Sequence, residues 1–571
     1  DLRRPRGVRE TPRPYNLALP AFPERLLPVS AVHTPSFEEF QSVASSLPAS
    51  GPGGVIPIYR TLLADHLTPV TAYERLAKRS PYSFLLESVV GGEHIARYSF
   101  VAAAPRTVIK AYGQEVTIEQ HGAGAGAGDG AGVTRKTFMS PDPLKELENL
   151  LAPLHGVRPA ASPTAASGAT LPSFVGGAVG YAAYDAVRYL EPEKLTATPK
   201  DDRGLPDVLF GIYDELVIFD HVQKTVLVVA NVRILPGDKR TWKEIYGEAV
   251  ARIAAVVAAL QEPMAFVLAS VDLSREARPA HTSNFTKEGF EKAVLAAKEY
   301  IKSGDIFQVV LSQRLEAVTS ARPFDIYRAL RVINPSPFMF YLTSPECILA
   351  GSSPEIMCRV QEGVITNRPL AGTRKRGATE AEDKALEEDL LADPKERAEH
   401  IMLVDLGRND VGRAAELGSV KVSDVMTVER YSHVMHIVSN VTGKLAKDKT
   451  AFDALRLALP VGTVSGAPKI RAMQIIDELE PTKRGPYAGA VGYIDYNRNL
   501  DTCIALRTMV IVAEKSEGRS EKSEDPGKWK VYVQAGAGLV ADSVPASEFQ
   551  ECINKASAML KAVALAEQGL S

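Results

Sequence analysis

The sequence predicts a mixed α/β protein, and two patterns along the chain carry that prediction. Before Thr286, short apolar runs such as 107–112 and 226–232 stand among scattered glycines, which is typical of β-strands. After Thr286, segments with helical periodicity alternate with segments of alternating polarity. The chain has 571 residues, of which 45% are hydrophobic and 24% charged, so it has the composition of a globular protein with a large core.

The first helix of this second region is clearly marked. Phe290, Val294, Ala297 and Ile301 recur at helical spacing on one face, and Gly304 is a suitable residue to end the helix. Residues 307–315 then alternate in polarity, which predicts a strand.

Low-complexity segments interrupt the chain without dividing it into separate modules. Residues 122–132, 156–170 and 514–528 are rich in glycine, in Pro, Ala, Ser and Thr, or in charge, and we expect surface loops there. We predict three regions: a poorly defined N-terminal extension over 1–55, an N-terminal region over 56–285 and a catalytic region over 286–566. Five arginines precede residue 14, a composition compatible with a trimmed targeting segment.

Charge and cysteine content restrict the function classes. A formal net charge of -3 provides no general attraction to nucleic acid or anionic membranes, so a small-molecule substrate is expected rather than a polynucleotide. The four cysteines form no CxxC pair and no zinc spacing, which predicts reduced thiols and a cytoplasmic location, or a plastid if the start is a trimmed transit segment. The longest apolar stretch is far shorter than the ~20 residues that a membrane span requires.

Two pairs of glutamates form the most informative pattern in the chain. Glu396 and Glu399 are three residues apart after Asp393 and Pro394, a favourable helix start in which Glu396 completes a capping-box pattern. Glu548 and Glu551 repeat that spacing. Residues three apart lie on one face of a helix, so each pair can direct two carboxylates to one point.

The second pair is expected at the start of a C-terminal amphipathic helix, which Ser547 and the apolar series Phe549, Cys552, Ala556 and Leu560 indicate. Two facing pairs would form an all-oxygen site, for which Mg²⁺ is the natural ion. The alternative is that both helices simply carry solvated acids, which the helix dipole favours near an N-terminus.

Several glycine-rich or basic turns have the composition of a site for a small anion. Glu355 follows a Pro turn in GSSPE, and residues 368–377, RPLAGTRKRG, place Gly372 and Thr373 among four basic residues. Residues 462–469 and 534–540 are further glycine-rich turns, and none of them is a Walker A motif. We interpret them as places where backbone approaches an anionic substrate closely.

Residues 399–413, EHIMLVDLGRNDVGR, resemble the signature of the chorismate-utilising enzymes that act with ammonia. The resemblance extends from about Ile56 to about Leu565 through several motifs in the family's order. It is closest to the anthranilate synthase large subunits, which commit chorismate to tryptophan. The fold that this resemblance implies is α+β, a single large domain with two β-sheets packed face to face and helices outside.

The resemblance also implies roles for individual residues. Glu399 and Glu551 would ligate Mg²⁺, and Glu396 and Glu548 would hold its waters. Arg507, Tyr487 and the backbone at Gly536 and Gly538 would bind the enolpyruvyl carboxylate, because a planar guanidinium suits a carboxylate. The residues that would act on or contact the reacting ring are Glu355 as general acid, His436 in pyruvate loss, and Gln308, Thr373, Thr463 and Gly372.

Two positions distinguish this chain from related branches of the family. Enzymes that add water carry a lysine base where this chain has Gln308. Aminodeoxychorismate synthases carry a nucleophilic lysine in PIKGT, whereas residues 369–373 here read PLAGT with Ala371, which can form no covalent adduct. Aminodeoxychorismate synthase remains the nearest alternative, and a non-catalytic tryptophan-sensing subunit is the alternative from another class.

A second site is implied in LLES, residues 85–88, and NPSPFMFY, residues 334–341, which resemble the two halves of a tryptophan pocket used for feedback inhibition. Glu87 and Ser88 would bind the ammonium group. The remaining residues implied at or beside that pocket are Asn334, Pro335, Ser336, Pro337, Met339, Phe340, Tyr493 and Cys503.

A partner subunit is also expected. None of the four cysteines lies in the glycine-rich turn that a glutamine amidotransferase nucleophile requires. We therefore expect a separate glutaminase subunit that delivers ammonia, in a heterodimer or heterotetramer.

Overall fold

The computed structural model describes residues 32–48, 50–88, 97–122, 132–158, 171–264, 270–273, 278–430, 434–514 and 527–569. The chain divides into a short unit, Asp1–Val32, and one compact unit, His33–Ser571, which contains every element below. The arginine-rich start and most of the three predicted loops lie outside the described residues.

The helices and strands of the described chain are numbered in order. The helices α1 to α11 are Phe37–Ser45, Pro69–Leu76, Pro143–Leu151, Trp242–Leu260, Lys287–Lys302, Pro323–Ile333, Glu380–Ala392, Pro394–Gly412, Ala451–Ala458, Lys469–Leu479 and Pro545–Ala566. The strands β1 to β25 are Gly53–Leu62, Ser83–Glu87, Tyr98–Ala103, Thr107–Tyr112, Glu115–His121, Val133–Met139, Leu154–Gly156, Gly177–Ala182, Val208–Tyr213, Glu215–Asp220, Thr225–Ile234, His281–Ser283, Gln308–Thr319, Phe338–Thr343, Ile348–Ser353, Ile356–Gln361, Val364–Asn367, Leu370–Lys375, Lys421–Arg430, Val434–Lys444, Gly466–Ala467, Ala490–Asp495, Leu500–Ile504, Thr508–Ala513 and Trp529–Leu539.

The strands form two large sheets in which the two halves of the chain are mixed. The first sheet has the order β12-β13-β25-β24-β15-β14-β2-β3-β10-β11-β1-β7, with β21 paired to β13. The second has the order β18-β20-β17-β16-β23-β22-β8-β9-β4-β5-β6, with β19 paired to β20. Pairing of β14 with β2 and of β22 with β8 joins residues before Thr286 to residues after it in both sheets.

The two sheets pack face to face with helices outside, as expected for the fold. A cluster that includes Phe84 and Phe340 of the first sheet and Tyr181 and Val491 of the second fills the space between them. A larger apolar cluster lies under α1, α2, α4, α6 and α11 on the outer face of the first sheet. A third lies under α3 and α9 on the outer face of the second. No helix among the described residues is both long and apolar enough to cross a membrane.

The local predictions agree with the structure except for one detail at the start of α8 and one at the start of α11. Helix α5 is capped by Thr286, whose side chain accepts from the Gly289 amide, and Gly304 follows its end with φ +83°. Helix α8 starts at Pro394 with Asp393 as cap, but Glu396 contacts Arg374 rather than completing the capping box. Helix α11 starts at Pro545, so Ser547 lies inside it rather than before it.

Candidate active site and regulatory cavity

The candidate active site lies where the chain passes between the two sheets. Glu355 stands between β15 of the first sheet and β16 of the second, and Arg507 stands between β23 and β24 on the return path. The Ile504 amide donates to the Glu355 carbonyl at 3.0 Å, and the Ser352 amide donates to the Arg507 carbonyl at 3.1 Å. These bonds hold the two crossing segments side by side, so both residues belong to one region.

Glu355 is a buried acid. Burial raises its pKa to about 8, and the Thr463 hydroxyl, which lies near the carboxyl without a hydrogen bond of normal geometry, lowers it only in part. The rise expected for a general acid is therefore present, and burial rather than a neighbouring carboxylate causes it. At neutral pH most Glu355 side chains keep their proton.

His436 on β20 faces the bulge of β18. Its Nδ1 lies 3.0 Å from the Gly372 carbonyl oxygen and 3.0 Å from Thr373 Oγ1. Because a carbonyl can only accept, Nδ1 carries the hydrogen and Nε2 is the basic nitrogen. Burial lowers the pKa of His436, and the positive charge of Arg507 lowers it further, while the bond to Gly372 raises it. The structure thus brings His436, Thr373 and Arg507 together.

The glycines of β25 bring the backbone of that strand close to Tyr487 and Gln308. A Cβ added at Gly536 would lie 2.9 Å from the Tyr487 hydroxyl, and one added at Gly538 would lie 2.7 Å from Gln308 Nε2. Side chains at either position would displace these two residues. Gln308 is 4% exposed, and its Oε1 has no hydrogen-bond partner among the described residues. This region therefore offers Gln308 Oε1, a polar atom without a partner among the described residues, next to the backbone of β25.

The two glutamate pairs start α8 and α11, and the structure brings them near one another. Burial raises the pKa of Glu399, and the charges of Glu396 and Glu551 raise it further. Burial likewise raises the pKa of Glu548, with a further rise from Glu551. A Cβ added at Gly372 would lie 3.2 Å from Glu396 Oε2, which connects the carboxylates to the His436 region.

Two cations partly neutralise these carboxylates. Lys555 Nζ lies 2.7 Å from Glu551 Oε1 and donates to the Gly536 carbonyl at 3.0 Å, and Arg374 Nη1 lies 3.4 Å from Glu396 Oε1. In the part of the chain that the structure describes, no three Asp, Glu, His or Cys side chains form a ready metal cluster. The donors nevertheless fit Mg²⁺, because all are carboxylate oxygens and their mutual repulsion at Glu399 is relieved by a divalent cation.

A separate cavity of about 320 Å³ lies between the sheets. Of the residues implied in the tryptophan pocket, its lining includes Glu87, Ser88, Pro337, Met339, Phe340, Tyr493 and Cys503. Tyr493 stacks on Phe174 with ring centroids 4.1 Å apart, and Phe100 packs edge-on against Phe174. The cavity therefore has an aromatic wall and a few polar groups, as small-molecule sites commonly do.

The polar groups of the cavity differ in how well they are satisfied. Glu87 accepts from Tyr327 at 2.8 Å and is paired with Arg331 at 2.7 Å. The buried Ser88 hydroxyl has no hydrogen-bond partner among the described residues. Arg359 pairs with Asp501 at 2.9 Å in the same lining. Ser88 Oγ and Asp501 Oδ1 are buried polar atoms of this lining without a partner among the described residues, so a ligand could satisfy them.

Three of the residues implied at or beside that pocket are not part of the cavity lining. Within the described chain, Asn334, Pro335 and Ser336 do not line the cavity. Asn334 Nδ2 donates to Ser352 Oγ at 3.3 Å, and Ser336 Oγ donates to the Ser353 carbonyl at 2.9 Å. Both acceptors belong to β15, the strand that precedes Glu355, so these two side chains attach the connection between α6 and β14 to that strand.

Sequence reasoning also missed residues that the structure places in these sites. Lys555 lies one helical turn after Glu551, and that spacing could have indicated it. Arg331 and Tyr327, the partners of Glu87, lie about 240 residues away in sequence. Arg359 and Asp501 pair across adjacent strands of the second sheet. No local pattern indicates such distant pairs.

The chain is similar to known proteins over most of its length. Residues 81–561 match a model of the chorismate binding enzyme family. An anthranilate synthase component 1 from Acetivibrio thermocellus is 45% identical over 512 residues, 89% of this chain and 95% of that protein. A chloroplastic anthranilate synthase alpha subunit 2 from Arabidopsis thaliana is 44% identical over 565 residues, 96% of this chain and 87% of that protein.

A solved structure shows the same architecture. The crystal structure of anthranilate synthase component I from Streptococcus pneumoniae aligns with a TM-score of 0.65 and 35% identity, over 87% of this chain and 98% of that chain. Sequence and fold agree, and the chain belongs to the anthranilate synthase component 1 branch of the chorismate-binding enzymes.

Proposed function

We propose that this chain converts chorismate and ammonia into anthranilate, pyruvate and water, as the first committed step toward tryptophan. The observation that carries the proposal is Glu355, a buried carboxylic acid whose pKa is raised to about 8, in a region shared with Arg507 and Thr463. A side chain that keeps its proton at neutral pH can protonate a departing hydroxyl.

In the first step Glu355 protonates the C4 hydroxyl of chorismate, which leaves as water while ammonia adds at C2. Arg507 and Tyr487 bind the enolpyruvyl carboxylate, and the glycine backbone of β25 allows that group to approach closely. Holding the anion on a fixed guanidinium places the ring carbons relative to Glu355.

In the second step the aminated ring loses pyruvate and becomes aromatic, which requires removal of a ring proton. His436 is suited to assist, because its lowered pKa keeps it neutral and its Nδ1 bond to Gly372 leaves Nε2 as the basic nitrogen. Thr373, beside the same ring, contributes a hydroxyl for hydrogen bonding.

Mg²⁺ fits this proposal at the glutamate pairs. Glu399 and Glu551 would hold the ion, Glu396 and Glu548 would hold its waters, and the ion would bind the ring carboxylate and withdraw electrons from the ring. Lys555 lies between Glu551 and the Gly536 backbone, so it provides positive charge beside the substrate anions.

Product analysis tests the proposal directly. The chain is incubated with chorismate, Mg²⁺ and ammonium chloride, and products are followed by fluorescence and mass. We expect anthranilate and pyruvate in equal amounts. Accumulation of an aminated, non-aromatic chorismate would move the chain to the aminodeoxychorismate branch, and absence of turnover would support a non-catalytic sensor.

We further propose that the 320 Å³ cavity binds L-tryptophan and that this binding inhibits the reaction. An indole matches the aromatic side chains of Tyr493 and Phe100 in the lining, and the Ser88 hydroxyl, which has no partner among the described residues, is available to a polar group of the amino acid. Titration calorimetry with L-tryptophan and L-phenylalanine measures the selectivity. Equal affinity for both, or none for tryptophan, would contradict this assignment.

A glutaminase partner is the last part of the proposal. The four cysteines are all buried within the described chain, and burial raises the pKa of each thiol, which is the opposite of what a nucleophilic cysteine needs. We therefore propose that a separate subunit supplies ammonia from glutamine, in a heterodimer or heterotetramer in the cytoplasm or a plastid. Glutamine-dependent turnover that appears only with a co-purified glutaminase subunit, measured with light scattering for the assembly, tests this.

A further inference from the structure

A buried ion pair lies behind the substrate-facing residues. The side chains of Glu480 and Arg484 are 2% and 1% exposed. Arg484 donates to Glu480 twice, from Nε to Oε2 at 2.9 Å and from Nη2 to Oε1 at 2.6 Å. Because desolvation of two charges can exceed their mutual attraction, such a pair is weak evidence for a stabilising role alone.

The remaining hydrogens of Arg484 connect two pieces of the candidate site. Nη1 donates to the Val464 carbonyl at 2.7 Å, and Nη2 donates to the Val310 carbonyl at 2.7 Å. Val464 directly follows Thr463, and Val310 lies two residues after Gln308 on β13. One guanidinium therefore fixes the distance between the turn that carries Thr463 and the strand that carries Gln308.

The pair also completes the edge of β13. Strand β21 pairs with Gln308 and Val309, and the Val310 amide donates to the Ser465 carbonyl at 2.9 Å. Beyond that point the Val310 carbonyl accepts from Arg484, and the Ser312 amide donates to Glu480 Oε1 at 2.8 Å. The two side chains thus take the place of a neighbouring strand, with the shape of the edge set by a rigid planar fork.

Arg484 also faces the ring of a third candidate site residue. Its Cζ lies 5.6 Å from the ring centroid of Tyr487 and 4.7 Å from that of Tyr184, within cation–π range. The Tyr487 hydroxyl in turn lies against Gly536. The orientation of Tyr487 toward the substrate region therefore depends on the position of the guanidinium.

We propose that Arg484, held by Glu480, is a positioning residue of the active site, which sets the relative placement of Thr463, Gln308 and Tyr487 and acts on the reaction through them. The proposal rests on the proposed function, since Tyr487 binds the substrate there and the family resemblance implies Thr463 and Gln308 at the reacting ring. Lysine at this position keeps a charge but can reproduce neither the bidentate bond nor both carbonyl bonds.

The test compares Arg484→Lys with Arg233→Lys. Arg233 is a matched control, since it donates to Asp214 at 3.0 and 2.8 Å and its Cζ lies 5.7 Å from the Tyr496 ring, with neither partner in the candidate active site. In the ammonia-dependent assay, we expect Arg484→Lys to lower kcat by on the order of ten- to a hundred-fold with a smaller change in KM for chorismate. Arg233→Lys should leave kcat unchanged at a similar loss of Tm.

Glu480→Gln is the second variant. Its amide oxygen can still accept from Ser312, but the neutral side chain no longer forms an ion pair with the Arg484 guanidinium. We expect an intermediate loss of kcat. If both variants lose Tm but retain wild-type kcat per folded molecule, the pair is structural only and the positioning role is overturned.

Amide hydrogen exchange separates failure of this inference from failure of the proposed function. The amides of Phe307 and Val310 donate to the carbonyls of Ala467 and Ser465, so they report whether β13 still holds the Thr463 turn. Faster exchange there in Arg484→Lys, but not in Arg233→Lys, supports the positioning role even if the wild type forms no anthranilate. Unchanged exchange overturns it whatever the wild type produces.

Discussion

The candidate active site and the cavity lie in the same pair of sheets, but different interactions form them. The cavity is a preformed space of about 320 Å³ between the sheets, with stacked aromatic rings and an ion pair already made at Glu87. The active site is an assembly of charged groups at the passage between sheets, where carboxylates repel one another and Lys555 and Arg374 neutralise them only in part.

This difference shows what the protein alone provides at each site and what a bound ligand would add. The cavity is formed by core packing, so its shape is present before any ligand binds and its polar demand is limited to groups such as Ser88. The carboxylates of the candidate active site repel one another, and a bound cation would relieve that repulsion further. Mutations at the active site should therefore change turnover far more than stability, and mutations at the cavity should change inhibition alone.

The largest effect is expected for Glu399→Ala. The charges of Glu396 and Glu551 both act on this carboxylate. Its loss should lower kcat by about a thousand-fold, since a metal ion at this position would stabilise the transition state by several kcal/mol. Stability should not fall, because a repulsive charge is removed. Mg²⁺ titration calorimetry and anthranilate fluorescence measure the two consequences. Glu388→Ala on the exposed face of α7 is the control and should change neither.

Glu355→Gln should lower kcat by on the order of a hundred- to a thousand-fold while leaving chorismate binding intact, because the amide cannot give a proton. The pKa of Glu355 is about 8 against an ordinary value of 4.5, so between those values the folded state holds a proton that the unfolded state has lost. The free energy of unfolding of the wild type should therefore decrease as pH rises from about 4.5 to 8.

Thermal unfolding across that pH range checks the second half of this prediction. The Gln variant lacks the titrating carboxyl group, so its Tm should depend less on pH. Near pH 8 its free energy of unfolding should exceed that of the wild type by on the order of 1–3 kcal/mol. In the wild type, kcat should also fall as pH rises above about 8. A variant that retains substantial turnover would remove Glu355 from the acid role.

These two sites also show how far sequence reasoning reaches. Both helix starts with their glutamates, strand β4 over Thr107–Tyr112 and helix α5 could be predicted, because caps, spacing and periodicity are local properties. The family resemblance correctly indicated two packed sheets. Pairing of β14 with β2 and the bond from Ser336 to Ser353 could not be predicted locally, because register and turn direction depend on residues far apart in sequence.

Loss of the Ser88 hydroxyl should weaken ligand binding in the cavity without changing turnover. Ser88→Ala removes a buried group that has no partner among the described residues, so Tm should stay constant or rise. Affinity for L-tryptophan should fall about ten-fold with no change in kcat, as measured by calorimetry and by inhibition curves. Thr225→Val, which removes another buried unpartnered hydroxyl outside the cavity lining, is the matched control and should leave tryptophan affinity unchanged.

A smaller effect on the active site is expected for Gly536→Ala. The added Cβ would lie 2.9 Å from the Tyr487 hydroxyl and 3.0 Å from the Leu311 carbonyl, so Tyr487 must shift. We expect KM for chorismate to rise by up to about ten-fold, without loss of tryptophan binding. Gly247→Ala in α4, where the added Cβ meets nothing within 4 Å, should leave the kinetics unchanged and stabilise the helix by about 0.5–1 kcal/mol.

The smallest effect concerns the connection between the two regions. The segment before β14 contributes Pro337 to the cavity wall, while the preceding Ser336 donates at 2.9 Å to the Ser353 carbonyl, two residues before Glu355. A ligand that moves this wall would therefore act on the strand that leads to Glu355. Ser336→Ala should keep the tryptophan affinity measured by calorimetry but weaken maximal inhibition by a few-fold, a coupling change of about 0.5–2 kcal/mol. If affinity falls and maximal inhibition does not, Ser336 contributes to the pocket rather than to its connection with Glu355.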